Sequence, residues 1–157
     1  MNEKLLDACW KMYAEHSTHL RHHETQRSTV AGTLIAIAAA LVGLITFDKS
    51  ITSTDAPATL FLIALGLFGA VFSAKQWERS SMHMQRARHY REKIDEVLEG
   101  TVIKEIKVAA DKVHKGEFPR LNRLRLHAFW ISLYVLIAVL GSWLSYVALC
   151  APIHAAP

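Results

Sequence analysis

The chain has 157 residues, 52% of them hydrophobic and 20% charged, with a formal net charge of +4. That apolar content excludes intrinsic disorder, and a cysteine count of two, Cys9 and Cys150, excludes a disulfide scaffold. The apolar residues are gathered into blocks rather than spread in short stripes, which predicts an all-α membrane protein with three transmembrane helices.

Residues 1–27 read as a cytoplasmic helix. Leu5, Cys9, Met12, His16, Leu20 and His23 recur at spacings of three and four, with Leu6, Trp10 and Tyr13 widening the stripe. The segment is polar and mixed in charge at its start, so no signal peptide is expected. Neither Pro nor Gly occurs in 3–31, so the helix should run into the first span, 28–47, giving a rod of about 45 residues or ~65 Å. An outer loop, 48–55 (DKSITSTD), leads to the second span, 56–74.

No Pro or Gly lies between Gly69 and Gly100, so the second span should continue as a stalk helix over 75–100. Ala87, Tyr90, Ile94 and Val97 give it a narrow seam, and Gly100 suits the position just past a helix end. The first two helices then form a long antiparallel hairpin whose seams face each other. Residues 101–127 hold an amphipathic helix and a turn. Its apolar face (Val102, Ile103, Ile106, Ala109, Ala110, Val113) is expected to pack on the stalks, with a place at the lipid headgroups as the alternative. Pro119 predicts a helix start near Arg120, ahead of the third span, 128–150, and an outer tail, 151–157.

Basic residues set the orientation. Four lie in 1–27 and thirteen in 75–127, against one in the 48–55 loop and none after Cys150. The N-terminus and 75–127 are therefore expected in the cytoplasm, and the loop and C-terminus outside.

The first span has no aromatic residue before Phe47 and carries Gly32, Ala36, Ala39, Ala40 and Gly43. Small residues let helices approach closely in lipid. The second span has Gly66, Gly69, Ala70 and Ser73. The third has its aromatics at the ends: Phe129 and Trp130, then Trp143 and Tyr146. The first span is thus expected innermost, the third against lipid, and the chain is expected to form a homo-oligomer in the bilayer. No Asp, Glu, Lys, Arg or His lies within a span, which argues against a pump or ion-coupled transporter. A pore lined by Thr29, Thr33, Ala36 and Ala40 remains open to it.

Nine histidines invite a metal reading, since His19 and His23 have i, i+4 spacing beside Glu15. There is no HExxH order and no cysteine pair, so no metal or other cofactor is expected and a polar helix face is preferred. The densest basic patch is RARHYR (86–91), with Arg79 and His83. Arginine forks match phosphate geometry, and Tyr90 could stack a base. A positive-inside signal touching lipid phosphates explains the patch more simply. Against that, Arg88 stands 14 residues past Ala74, ~20 Å along a helix and about two Debye lengths from the headgroups. A ligand or partner role is therefore expected at the far end. No catalytic constellation or phosphate-binding loop is visible, so an enzyme is not expected.

The polar helix ending in RHHETQRS (21–28), the hairpin with its short outer loop, and the long charged helix KQWERSSMHMQRARHYREKIDEVL (75–98) together resemble the SLATT-type membrane effectors of bacterial anti-phage systems. The likeness covers about residues 3–100 and lies in architecture and charge layout. The third span departs from the two-span pattern. The resemblance implies a bacterial inner membrane, an oligomeric channel-like or membrane-disrupting effector, and control by a nucleotide or oligonucleotide. Arg79, Arg86, Arg88, Arg91 and Tyr90, with Arg21 and Arg27, are the expected ligand contacts. The competing expectation is a non-conducting adaptor whose stalks dock a soluble signalling protein through Trp10, Tyr13 and Tyr90.

Overall fold

The structure is a computed structural model and describes residues 2–150; the expected outer tail, 151–157, falls outside them. Among the described residues there are four helices and no strand: α1 (Asn2–Ile45), α2 (Ala56–Val97), α3 (Val102–Glu117) and α4 (Leu126–Cys150), with 3-10 turns at Ser53–Asp55 and Leu121–Arg123. Three of them, α1, α2 and α4, are long and apolar enough to cross a membrane. The chain is an all-α, multi-pass membrane protein. Its residues form two compact units, an apolar one (27–75 and 126 onward) and a polar one (to 26, and 76–125), and α1 and α2 each contribute to both.

The core of the apolar unit is Ala31, Leu34, Ala38 and Ile45 from α1, Leu62 and Leu65 from α2, and Tyr134 and Leu144 from α4. Close approach joins α2 to α4. A Cβ added at Gly66 would lie 2.5 Å from the Ala138 nitrogen, and one at Gly141 would lie 2.8 Å from the Ile63 nitrogen. The Tyr134 ring rests directly on Gly69. A buried hydroxyl pair ties the same helices: Ser145 Oγ donates to Thr59 Oγ1 at 2.8 Å, and Thr59 Oγ1 donates to the Ala56 carbonyl at 2.9 Å. Every hydroxyl hydrogen in that chain has an acceptor, which hydrocarbon requires.

The first span is not the innermost within one chain. The most apolar windows of α1, α2 and α4 are 22%, 33% and 28% buried. The second span is central because its glycines admit α4, whereas the glycines of α1 are unused: a Cβ at Gly32 or Gly43 would meet nothing within 4 Å. At the start of α2 the Thr52 N–H donates to Asp55 Oδ2 at 2.9 Å, and Pro57 sits in the first turn, where its missing N–H costs nothing.

In the polar unit, Cys9 and His16 of α1 are buried, as are Ser80, Ala87, Ile94 and Asp95 of α2, with His83, Tyr90 and Val97 half-buried between them. Spacings of three and four from Ser80 to Val97 make this a continuous seam.

Three local expectations are corrected. The left-handed residue that closes α2 is Glu99 (φ 51), not Gly100. The Gly100 N–H donates to the Asp95 carbonyl and the Glu99 N–H to the Glu96 carbonyl, so Gly100 falls one place beyond the left-handed position of a Schellman end. The last helix begins at Leu126 rather than near Arg120. Pro119 instead stops α3, because the residue before a proline is pushed out of helical backbone, and Phe118 has φ −125 and ψ 58. Finally, α3 does not bury its apolar face. None of its residues is buried, and Val102, Ile106 and Val113 are exposed. Only Ile103 and Lys107 are half-buried, because α3 is held by its first turn instead: the Asp95 carboxylate accepts the Ile103 N–H at 3.0 Å and the Lys104 N–H at 2.9 Å.

Candidate functional site

The expected ligand residues do not converge on one site. Arg79 and Arg86 are exposed and, seven residues apart, share a face of α2. Arg88, two positions on, points the other way, and its Nη2 reaches Met84 Sδ at 3.3 Å. Arg21 is exposed on α1 and donates to Thr18 Oγ1 at 3.3 Å. Arg27 belongs to the apolar unit, is only 6% exposed, and holds its guanidinium 5.8 Å from the centroid of the Trp130 ring. A cation over an indole face is favourable and fits the wet edge of a span. Tyr90 is turned inward, stacked on His16 with centroids 5.6 Å apart; in this arrangement His16 holds the place a base would take.

Arg91 is different. It is half-buried and lines a cleft of about 480 Å³ in the polar unit, formed by the end of α2 and the first two turns of α3. Lys104, Lys107, Thr101 and Gly100 line it too, with Glu92, Asp95 and Glu96. The acids are already engaged. Asp95 caps α3, Glu92 Oε2 lies 3.2 Å from His89 Nδ1, and Glu96 Oε1 lies 2.8 Å from Lys93 Nζ. Lys107 pairs with Asp111 at 2.6 Å, and with Lys115 and Arg91 it holds the Asp111 carboxyl below its ordinary range, the hydrogen bond from Lys107 being the main cause. The cleft thus offers Arg91 and Lys104 as its donors toward an anion. Sequence reading found Arg91 but not its companions, because the placement of α3 depends on the Asp95 cap and no local motif announces that contact.

The residues expected to line a pore lie together on α1. Thr29, Thr33, Ala36 and Ala40 are all exposed, with Gly32 and Gly43 beside them, on the face opposite Ala31, Leu34 and Ala38. Thr33 Oγ1 donates to the Thr29 carbonyl at 3.1 Å, so its hydrogen is satisfied within the helix and the hydroxyl can still accept.

Sequence reading treated His83 as part of the basic patch and His16, His19 and His23 as a separate face. The structure assembles all four, with His83 at the centre. Comparison with known proteins gives no match: no family model, no curated protein and no solved structure is similar to this chain.

Proposed function

We propose that the protein is a homo-oligomeric, channel-like or membrane-disrupting effector of a bacterial inner membrane, with its polar unit in the cytoplasm. A phosphate-bearing ligand, a nucleotide or short oligonucleotide, controls it. The observation that carries this reading is the open face of α1. Gly32 and Gly43 face empty space, while Thr29, Thr33, Ala36 and Ala40 lie exposed beside them. Small residues in a span support close helix packing, and here that packing is left for other copies of the chain. Hydroxyls on the same face give a passage something polar to present to ions. The cleft at Arg91 and Lys104 supports the ligand half of the reading, with Arg79, Arg86 and Arg88 as outlying cations.

The test is reconstitution in liposomes with a fluorescent ion reporter, with and without ATP or a trinucleotide RNA. The expected result is an ion flux that responds to the added anion. Ala40→Leu should remove the flux, and Arg91→Glu with Lys104→Glu should remove only the response. Absence of flux under every condition overturns the reading. The non-conducting adaptor draws on two exposed apolar surfaces, the face of α3 and Leu5 with Trp10 of α1. Harmless overexpression and a co-purifying soluble protein, lost on Ile106→Glu, would favour it.

A further inference from the structure

The polar unit holds its first two helices together through imidazoles. The His83 ring, on α2, lies against three rings of α1, with centroids 4.8 Å from His19, 5.3 Å from His16 and 5.4 Å from His23. His16 Nδ1 and His83 Nδ1 are 3.1 Å apart. At that distance one nitrogen donates and the other accepts, so the contact needs at least one neutral ring. His16 is 6% exposed and is covered by Tyr90. His23 Nδ1 meets Gln76 Oε1 at 2.8 Å, a contact with an uncharged partner.

Charged and titratable groups flank the cluster on both helices. On α1, Glu15 Oε1 lies 3.7 Å from His19 Nε2, with both side chains about half exposed, and His22 adds another imidazole 6.3 Å from His23. On α2, Arg86 is a further cation acting on His83. Among the described residues no three candidate ligands are arranged to hold a metal ion.

We propose that the His16–His19–His23–His83 cluster is a proton-sensing contact, in which neutral imidazoles hold α1 and α2 together and successive protonation drives them apart. The proposal concerns the polar unit and does not depend on the channel reading. The sign follows from the surroundings. Partial burial first, then His19, His16, His23 and Arg86, push the His83 imidazole below the ordinary histidine value. A group whose folded-state pKa is lowered binds more protons when unfolded. Its stabilisation is therefore complete above about pH 6.5 and is lost as pH falls below that value.

Amide hydrogen exchange on the full chain in lipid nanodiscs, corrected for the intrinsic rate, tests this at about pH 7.5 and about pH 5.5, the range in which histidine titrates. Peptides from 9–23 and 76–90 should lose protection at the lower pH, while 31–45 should not change. His83→Asn, which keeps a hydrogen-bonding group near the Nδ1 position, should flatten the response. His19→Gln, at an exposed site that tolerates change, should reduce it. His89→Asn, on the same helix but paired with Glu92, should leave it intact. Equal protection at both pH values in the native chain overturns the proposal, as does an undiminished response in both His83→Asn and His19→Gln.

Discussion

Each of the two units is held together internally by a different means. In the apolar unit, α2 and α4 meet across glycines so closely that Gly66 and Gly141 face backbone nitrogens of the other helix. Lipid tails are as apolar as leucine, so burial drives little there and close packing with the Ser145–Thr59 hydroxyl pair must suffice. In the polar unit, α1 and α2 meet over rings and amides: His16, His23, Gln76, His83 and Tyr90. The first kind of contact is insensitive to pH and salt. The second depends on protonation, and this makes the polar unit the one a signal can loosen.

The largest expected effect falls on the glycine contact. Gly66→Ala would place a methyl 2.5 Å from the Ala138 nitrogen, and backbone cannot swing aside as a side chain does. Overpacking of this kind costs about 1–3 kcal/mol, and the upper end is expected. Gly32→Ala is the matched control, since its methyl enters empty space and alanine is the better helix former by about 1 kcal/mol. Thermal unfolding in detergent should show a clear loss for the first and none for the second. Chemical cross-linking should show the reverse for association, with Gly32→Ala weakening it. Equal stability of Gly66→Ala and the native chain would mean that the packing described for α2 and α4 is not what holds the unit.

The next effect belongs to the polar unit. Asp95 is 8% exposed and its carboxylate takes the Ile103 and Lys104 N–H groups, the role an N-cap residue plays, here played from a neighbouring helix. Losing a cap costs about 0.5–2 kcal/mol. Asp95→Ala should therefore unravel the first turn of α3 and open the cleft at Arg91. Limited proteolysis near Thr101 should accelerate, while the melting of the apolar unit stays put. Asp95→Asn keeps one acceptor and should fall between. If α3 proves as protected in Asp95→Ala as in the native chain, the cleft has another support.

Span number, the lengths of the first two helices and the stalk seam were legible in the sequence, because each depends on a periodicity or a charge-free run. The buried positions Ala87 and Ile94 follow directly from the spacing, and the exposed Trp143 and Tyr146 agree with an aromatic belt at the end of α4. What stayed hidden depends on pairing between helices. His83 belongs with His16, His19 and His23 only once the hairpin register is known, and Lys104 joins Arg91 only once Asp95 has fixed α3. The exposed stripe on α1 was visible as composition, but its being open rather than packed was not. The competing glycines of α2 and α4 decide that, and their fit to one another is a matter of shape.

The smallest effect is at the end of α2, where a local rule is broken. A residue in left-handed backbone closes this helix, and glycine takes that conformation freely because it has no Cβ. Glu99 holds it at φ 51 while Gly100, beside it, has no positive φ. Both Schellman hydrogen bonds form, from Gly100 to Asp95 and from Glu99 to Glu96, so the motif is complete but strained by its side chain. Glu99→Gly should relieve the strain against some added freedom of the unfolded chain, for a net gain of about 0.5 kcal/mol. Hydrogen exchange at Leu98–Gly100 should slow slightly, with the apolar unit unchanged. The converse substitution, Gly100→Ala, places a methyl no closer than 3.7 Å to any neighbour and should be nearly neutral. If Glu99→Gly destabilised the polar unit instead, the glutamate side chain would have a partner important enough to outweigh the backbone cost, and the Arg91 cleft, which the adjacent Gly100 helps to line, would be the place to look for it.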